Sequence, residues 1–298
     1  MRTDAAGDRW FAGAAGALAL VAATGLGGLL FGVWGALGGG LLGLGAGFGL
    51  RRALGRRAQR RRALLAAPFP EAWRRFLKER CDPYERIPAD LRGRFEDDLR
   101  LFVAEKRITG VGTPATEELK LLVAASAVTL SLGWPDYEWD HLTEVLLYPQ
   151  DFARDYGFEM QELSGQAHGW GTVILSAPAL LESFAHPDDG YHVGIHEFAH
   201  LIQVDQSRFA EIPLGLGAAS SREWAGLVTA EMERLRHGKS ILDPYAGENA
   251  VEFMAVAVEA FFEIPLDLRA RHREVYAILA EYFRQDPAAW DDARGVGP

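Results

Sequence analysis

Apolar positions run without a charged interruption from Phe11 to Leu50, and 14 of these 40 residues are glycine. Such a run is about twice the ~20 residues that carry a helix across a bilayer core. A secretory signal is shorter, and no small-residue cleavage site stands out. The pattern predicts an N-terminal transmembrane hairpin of two helices, with the turn near Gly38-Gly39-Gly40. A single crossing with an apolar extension is the alternative. Glycines four or fewer residues apart suit close helix–helix contact in lipid.

From Leu64 onward the pattern changes to mixed globular sequence. "FPEAWRRFLKER" and "IPADLRGRFEDDLRLFVAEKR" have the spacing of amphipathic helices, each with a proline near its start. "TPATEELKLLVAASAVTLSLG" predicts a buried helix with Thr113 as N-cap before Pro114. "TEVLLYPQDF" and "GWGTVILSAP" are short, β-branched or aromatic and bounded by Gly and Pro, which predicts strands. After Tyr191 helical spacing returns in "VGIHEFAHLIQVD", "SSREWAGLVTAEMERLRHG", "GENAVEFMAVAVEAFFE" and "RARHREVYAILAEYFRQ". The expected fold is α+β, mostly helical with a small sheet. Three segments follow: a membrane segment over 1–50, a basic juxtamembrane linker over 51–62 and a folded domain over 63–298.

Charge sharpens this division. The stretch "RRALGRRAQRRR" holds seven arginines and no acid, whereas residues 63–298 carry 22 basic and 39 acidic side chains. Basic residues beside a membrane helix stay on the cytoplasmic side and meet anionic headgroups. The expected location is therefore the cytoplasmic membrane, with the bilayer contacted through residues 11–50 and the domain facing the cytoplasm. An acidic domain lacks the basic face that neutralises phosphates, so direct nucleic-acid binding is not expected. The lone Cys81 cannot form an intramolecular disulfide, which fits a reducing compartment.

The chemistry is concentrated in "HEFAHLIQVD", residues 196–205. Residues i and i+4 share a helix face, so His196 and His200 can present imidazoles to one ion while Glu197 points toward a bound water. This is the zinc-peptidase helix pattern, in which the ion acidifies water and the glutamate takes its proton. The pentapeptide recurs by chance on the order of once per hundred such chains. Its apolar neighbours Ile195, Phe198, Ala199, Leu201 and Ile202 argue against a solvated polar face. Gln203 and Gln206 occupy the positions where a metzincin has glycine and a third histidine, which excludes that variant. Asp205 is about 140° around the helix from His200 and poorly aimed. Better candidates for a third ligand are Glu252 and Glu259, set in a run of Val, Phe, Met and Ala. They are seven residues apart and thus share a face within about 20°. His141, His168, His186, His192, His237 and His272 lack ligand spacing with one another.

From Leu64 to Pro287 the sequence resembles the Mlc titration factor A family of zinc-dependent peptidases, of gluzincin type, whose catalytic region is similar to that of anthrax lethal factor. The likeness lies in "LLAAPFPEAWRRFL", "LFVAEKRITG", "LYPQDF", "GWGTVILS", "HEFAH" and "YAGENAVEFMAV". The resemblance implies a zincin-like domain with Zn2+ held by the two helix histidines and a distal glutamate that follows a tyrosine by seven residues. Tyr245 and Glu252 have that spacing, so the implied metal ligands are His196, His200 and Glu252. Glu197 is then the general base and Tyr245 the oxyanion donor, while the role of Glu259 stays open, accepting a ligand histidine's other N–H being one option. "GWGTVILS" would be an edge strand able to pair with an extended peptide. Gln203 stands where the family usually has aspartate, and Ala250 where it has proline.

The expected function is a membrane-anchored zinc metallopeptidase, an aminopeptidase by resemblance, acting on peptides or proteins. The competing expectation is a zinc-fold regulatory protein that docks a transcriptional repressor or another partner at the membrane. Glu197 favours the enzyme, because a pure binder does not need a base.

Overall fold

The computed structural model describes residues 7–135, 137–150, 171–206 and 218–295. The chain divides into two compact units, Met1–Pro68 and Phe69–Pro298. The first is the long helix α1 (Gly7–Ala66), broken by non-helical backbone at Phe31 and Gly32. Gly32 takes φ +63°, a left-handed angle that costs glycine little, and there the chain doubles back. The arms meet closely. A Cβ on Gly39 would lie 2.0 Å from the Ala23 carbonyl oxygen, and one on Gly28 would lie 3.4 Å from the Ala36 Cβ.

The helix reverses as a hairpin, with its turn at Phe31–Gly32 and not at Gly38–Gly40. One left-handed glycine suffices for the reversal, and the later glycines serve arm-to-arm packing. Leu29 and Trp34 near the turn are 86% and 83% exposed. Among the described residues, one stretch, Gly28–Gly49, is long and apolar enough to cross a membrane. Residues 51–62 continue the second arm as helix.

The second unit is mostly helical around a three-stranded sheet. Its first part comprises α2 (Glu71–Arg80), α3 (Asp82–Arg86), α4 (Ala89–Glu105), β1 (Arg107–Gly110), α5 (Glu117–Ser131), β2 (Glu144–Tyr148) and β3 (Thr172–Ser176). Then follow α6 (Ala177–Ala185), α7 (Val193–Gln206), α8 (Ala218–Arg236), a 3-10 turn (Pro244–Gly247) and α9 (Ala250–Glu263). The chain closes with α10 (Pro265–Arg271), α11 (Arg273–Phe283) and α12 (Pro287–Arg294). The strands are parallel in the order β1-β2-β3, with Val145 opposite Val173 and Leu147 opposite Leu175, all fully buried. Parallel strands need a crossover, and α5 supplies the one between β1 and β2.

Several boundaries differ from the pattern's expectation. The cap of α5 is Thr116, whose hydroxyl accepts from Leu119 N, and not Thr113. The strand β1 and the helices α3, α6 and α12 were not foreseen. The last expected helix is split at His272. The expected strands extend past the observed ones at 151–152 and 169–170, outside the described residues, as does His168.

Tertiary contacts fix the helix that carries the His-Glu pattern. α5 is buried over nearly its whole length, and Gln285 Nε2 donates to the Thr129 and Leu130 carbonyls near its end. α5 and α7 approach closely at Gly194, where a Cβ would lie 2.3 Å from Ser126 Oγ. Phe198 of α7 packs edge-on against Phe102 and Trp139, at 5.9 and 5.1 Å between ring centroids. Full burial of a side chain of this size contributes roughly 1.5–3 kcal/mol. Farther away, Glu96 accepts two guanidinium bonds from Arg74 and one from the Tyr84 hydroxyl, tying α2, α3 and α4 together.

The hairpin can be tested by crosslinking. On a Cys81→Ser background, Gly28→Cys with Ala36→Cys is expected to oxidise to an intramolecular disulfide, since the Cβ separation is near the ~3.8 Å of such bonds. A mobility shift on non-reducing gels is the readout, and arms that do not pack give no crosslink.

Candidate metal centre

The start of α7 is held by three contacts. Val193 N donates to Ser183 Oγ, Ile195 N to His192 Nδ1, and His192 N to Glu259 Oε2 at 2.6 Å. These bonds occupy amide donors that a helix start leaves without intrahelical partners. Glu259 also brings a carboxylate to the positive end of the helix dipole. Burial pushes the His192 imidazole down to about 3, so it stays neutral as a cap.

α9 supplies the carboxylates. Asn249 caps it, with Oδ1 accepting from Val251 N and Glu252 N at 2.9 and 3.0 Å, which fixes Glu252 in the first turn. Gln203 Nε2 donates to the Val251 carbonyl and links α7 to the same turn. Two turns later Glu259 lies on the same face, 1% exposed.

These two elements close around His196. Its Nδ1 meets Glu259 Oε1 at 2.7 Å, and its Nε2 lies 3.2 Å from Glu252 Oε2. His200 Nε2 is 3.0 Å from His196 Nε2 and 3.3 Å from Glu252 Oε2. The structure thus brings His196, His200 and Glu252 together, with Glu259 behind the first imidazole rather than in the triangle. Glu197 is buried on the same helix and acts electrostatically on both imidazoles. The Tyr245 ring, in the 3-10 turn, lies 6.1 Å from the His196 ring.

The donor set fits a metal ion. With Nδ1 of His196 donating to Glu259, its Nε2 offers a lone pair. Glu252 Oε2 is buried, and neither nearby imidazole meets it in hydrogen-bond geometry. Bonds of about 2.0–2.1 Å at tetrahedral angles would separate ligand atoms by about 3.3 Å. The observed separations are 3.0, 3.2 and 3.3 Å.

The electrostatics differ between the two histidines. Burial keeps the His200 imidazole below its ordinary value, which favours the neutral ligating form. Burial opposes ionisation of Glu252, yet the two imidazoles hold its carboxyl well below the usual range. Burial lifts Glu259, so its charge is sustained by the His196 N–H in front of it. His196 differs: burial opposes its protonation, but the carboxylates, Glu259 foremost, hold it well above its ordinary value, so an ion at Nε2 must displace a proton there.

The sequence reasoning missed a recess beside this centre. Tyr191, Val193, His196, Asp243, Tyr245, Val256 and Glu259 line a small, mostly apolar recess of about 30 Å³ that opens in part to solvent. Asp243 Oδ1 accepts from Tyr245 N at 2.9 Å. The proline after Asp243 was the available signal, since it marks a turn whose aspartate can cap the residue two positions on.

Comparison with known proteins agrees with this centre. The family described as glucose-regulated metallo-peptidase M90 matches residues 55–284. An uncharacterised protein of Synechocystis is 26% identical over 76% of this chain and 89% of its own length. The Mlc titration factor A of Edwardsiella ictaluri is 31% identical over 59% of this chain and 71% of its own. That of Pectobacterium atrosepticum is 28% identical over 57% and 68%.

Glu259→Leu is expected to lower divalent-metal affinity about 10–100-fold, because the acceptor for His196 Nδ1 is lost. Competition with a chromophoric chelator measures it, and unchanged affinity would assign Glu259 to folding alone.

Proposed function

Because the chain belongs to the glucose-regulated metallo-peptidase M90 family, we propose that it is a membrane-anchored zinc-dependent peptidase with aminopeptidase activity. The observation that carries this reading is the triangle of His196 Nε2, His200 Nε2 and Glu252 Oε2, with Glu197 buried beside it. In this reading His196, His200 and Glu252 hold zinc, and two neutral imidazoles with one carboxylate suit that ion while leaving a fourth position open. When bound, zinc supplies Lewis acidity that makes water nucleophilic at neutral pH.

The chain's own groups do the rest. Glu197 accepts the proton released by water and returns it to the leaving amine. The Tyr245 hydroxyl donates to the oxyanion as the carbonyl becomes tetrahedral. Glu259 keeps the proton on His196 Nδ1, so that Nε2 stays available for the ion. Among the described residues β3 pairs only with β2, so its outer edge suits pairing with an extended peptide.

The anchor follows from the first unit. Residues 11–30 and 33–50 form arms of about 30 and 27 Å at 1.5 Å per residue, close to a bilayer core. Seven arginines follow at one end, which favours the cytoplasmic side for the downstream domain. The relatives from Edwardsiella ictaluri and Pectobacterium atrosepticum carry the name Mlc titration factor A. Binding of a transcriptional regulator is the accompanying reading, and the buried Glu197 favours hydrolysis as the primary one.

Glu197→Gln is expected to retain one zinc per chain and lose about 10²–10⁴-fold in kcat on unblocked peptide substrates. Hydrolysis at the wild-type rate by that variant would overturn the assignment. Tyr245→Phe is expected to lower kcat about 10²–10³-fold with KM nearly unchanged. A rise in KM alone would make the tyrosine a binding group and not an oxyanion donor.

A further inference from the structure

Glu263 ends α9 four residues after Glu259, so Glu252, Glu259 and Glu263 form one row of acids along this helix. The first two face His196 of α7. Glu263 is only 2% exposed and meets a different set of charges. Arg86 and Asp82 of α3, Asp189 before α7 and Glu259 all act on its carboxyl. Arg86 is the cation of this set, and its donors are committed elsewhere. Nη1 donates to the Phe262 and Glu263 carbonyls and Nη2 to the Glu263 carbonyl, at 2.8 to 3.2 Å. Its Nε lies 2.5 Å from Asp82 Oδ2 and 3.7 Å from Asp291 Oδ1 of α12. Arg294 reaches Asp291 at 4.0 Å, while Arg269 and Arg271 of α10 pair with Asp292 and Asp267. Glu85 Oε1, Glu263 Oε2 and Asp291 Oδ1 are buried with no hydrogen-bond partner among the described residues.

One guanidinium cannot neutralise Asp82, Asp291 and Glu263 together out of water. A buried anion without its own cation is costly, and taking up a proton removes the charge. Burial foremost pushes the Glu263 carboxyl up to about 9; Arg86 pulls against it, and the neighbouring acids push with it. Burial lifts Asp291 too, but two arginines oppose that. We propose that Glu263 is a proton-operated latch: as a neutral acid it lets the ends of α3, α9 and α12 close on one another, and once ionised it drives this junction apart. The junction adjoins the chain entering α7. A Cβ on Gly190 would lie 3.2 Å from Ile264 Cδ1, so the stretch from Asp189 to His192 packs on the residue after Glu263. Repulsion between ionised Glu263 and Asp189 therefore acts on the segment that leads into the histidine helix.

The direction of the pH effect follows from linkage. The closed junction holds the proton more tightly than an open one, so its advantage is complete below the ordinary glutamate value. It falls by up to about tenfold in the closing equilibrium per unit of rising pH and is gone above about 9.

Cys81 provides the probe. It is the single cysteine of the chain, buried just before α3, and Asp82, Glu263 and Glu85 act on its thiol. Full-length protein in detergent micelles is alkylated with iodoacetamide from about pH 6 to 10, beside Glu263→Gln, which keeps the size and loses the charge. Comparing the two proteins at each pH cancels the ionisation of the thiol in the open state. The ratio of wild-type to variant rate is expected to rise at least tenfold between about pH 6 and 8 and to level off above about 9. Asp291→Asn is expected to label with the wild-type pH dependence. A ratio that does not change with pH would overturn the proposal. So would an Asp291→Asn protein that loses the pH dependence while Glu263→Gln keeps it, since the proton would then belong to Asp291. Glu263→Met, neutral and of similar length, takes the place of the glutamine variant if that protein fails to fold.

Discussion

The imidazole of His196 is held from both sides by one face of one helix. Glu259 grips Nδ1 at 2.7 Å, and Glu252, seven residues earlier on α9, faces Nε2 at 3.2 Å. A heptad on an α-helix returns to nearly the same azimuth about 10 Å along the axis. The two carboxylates can therefore reach opposite edges of a ring presented by a crossing helix. This fixes the ring's orientation and the face on which its lone pair emerges. The rest of the centre is built around that constraint: α7 must be deeply buried to bring its histidines to α9, and Asn249 must start α9 where Glu252 is in the first turn.

Much of this was legible in the sequence because it follows helical periodicity. The i, i+4 histidines and the same-face pair Glu252 and Glu259 come from residue spacing alone, and the buried acids in an apolar run call for a cation or donor. The choice between the two glutamates was not in the periodicity. It came from the resemblance, through the spacing from Tyr245, and the structure gives the two carboxylates different neighbours. The Asp243 recess stayed hidden for another reason. Its walls come from the chain before α7, the 3-10 turn and α9, segments that only tertiary packing brings together.

The errors in the fold have similar physical origins. Three consecutive glycines suggested the hairpin turn, yet reversal needs one residue with positive φ, and Gly39 is required by the Ala23 carbonyl facing it. The strand "RITG" is too short for an alternation to register and exists because β2 lies beside it. The break at His272 has no proline or glycine to announce it. There the imidazole is buried and lies 2.9 Å from Glu231 of α8, a long-range contact that local spacing does not reveal.

The same burial that orders the centre sets its energetic character. Glu197, Glu259 and most of Glu252 are withdrawn from water within a few residues of one another along two helices. Carboxylates so placed repel one another and lose hydration, and the two imidazoles compensate for only part of that. A divalent cation in the ligand triangle would reverse the sign of the local field. It would turn a group of costly anions into a coordinated set, so that metal binding and packing of α7 on α9 share one free energy. In that arrangement the domain can keep Glu197 buried beside His196 and His200. Without the cation the same residues would favour a looser junction between the two helices. The polar residues of α7 and α9 are in this sense a function-imposed exception to an otherwise apolar interface, and the aromatic packing of Phe198 and the Asn249 cap hold the interface together around them.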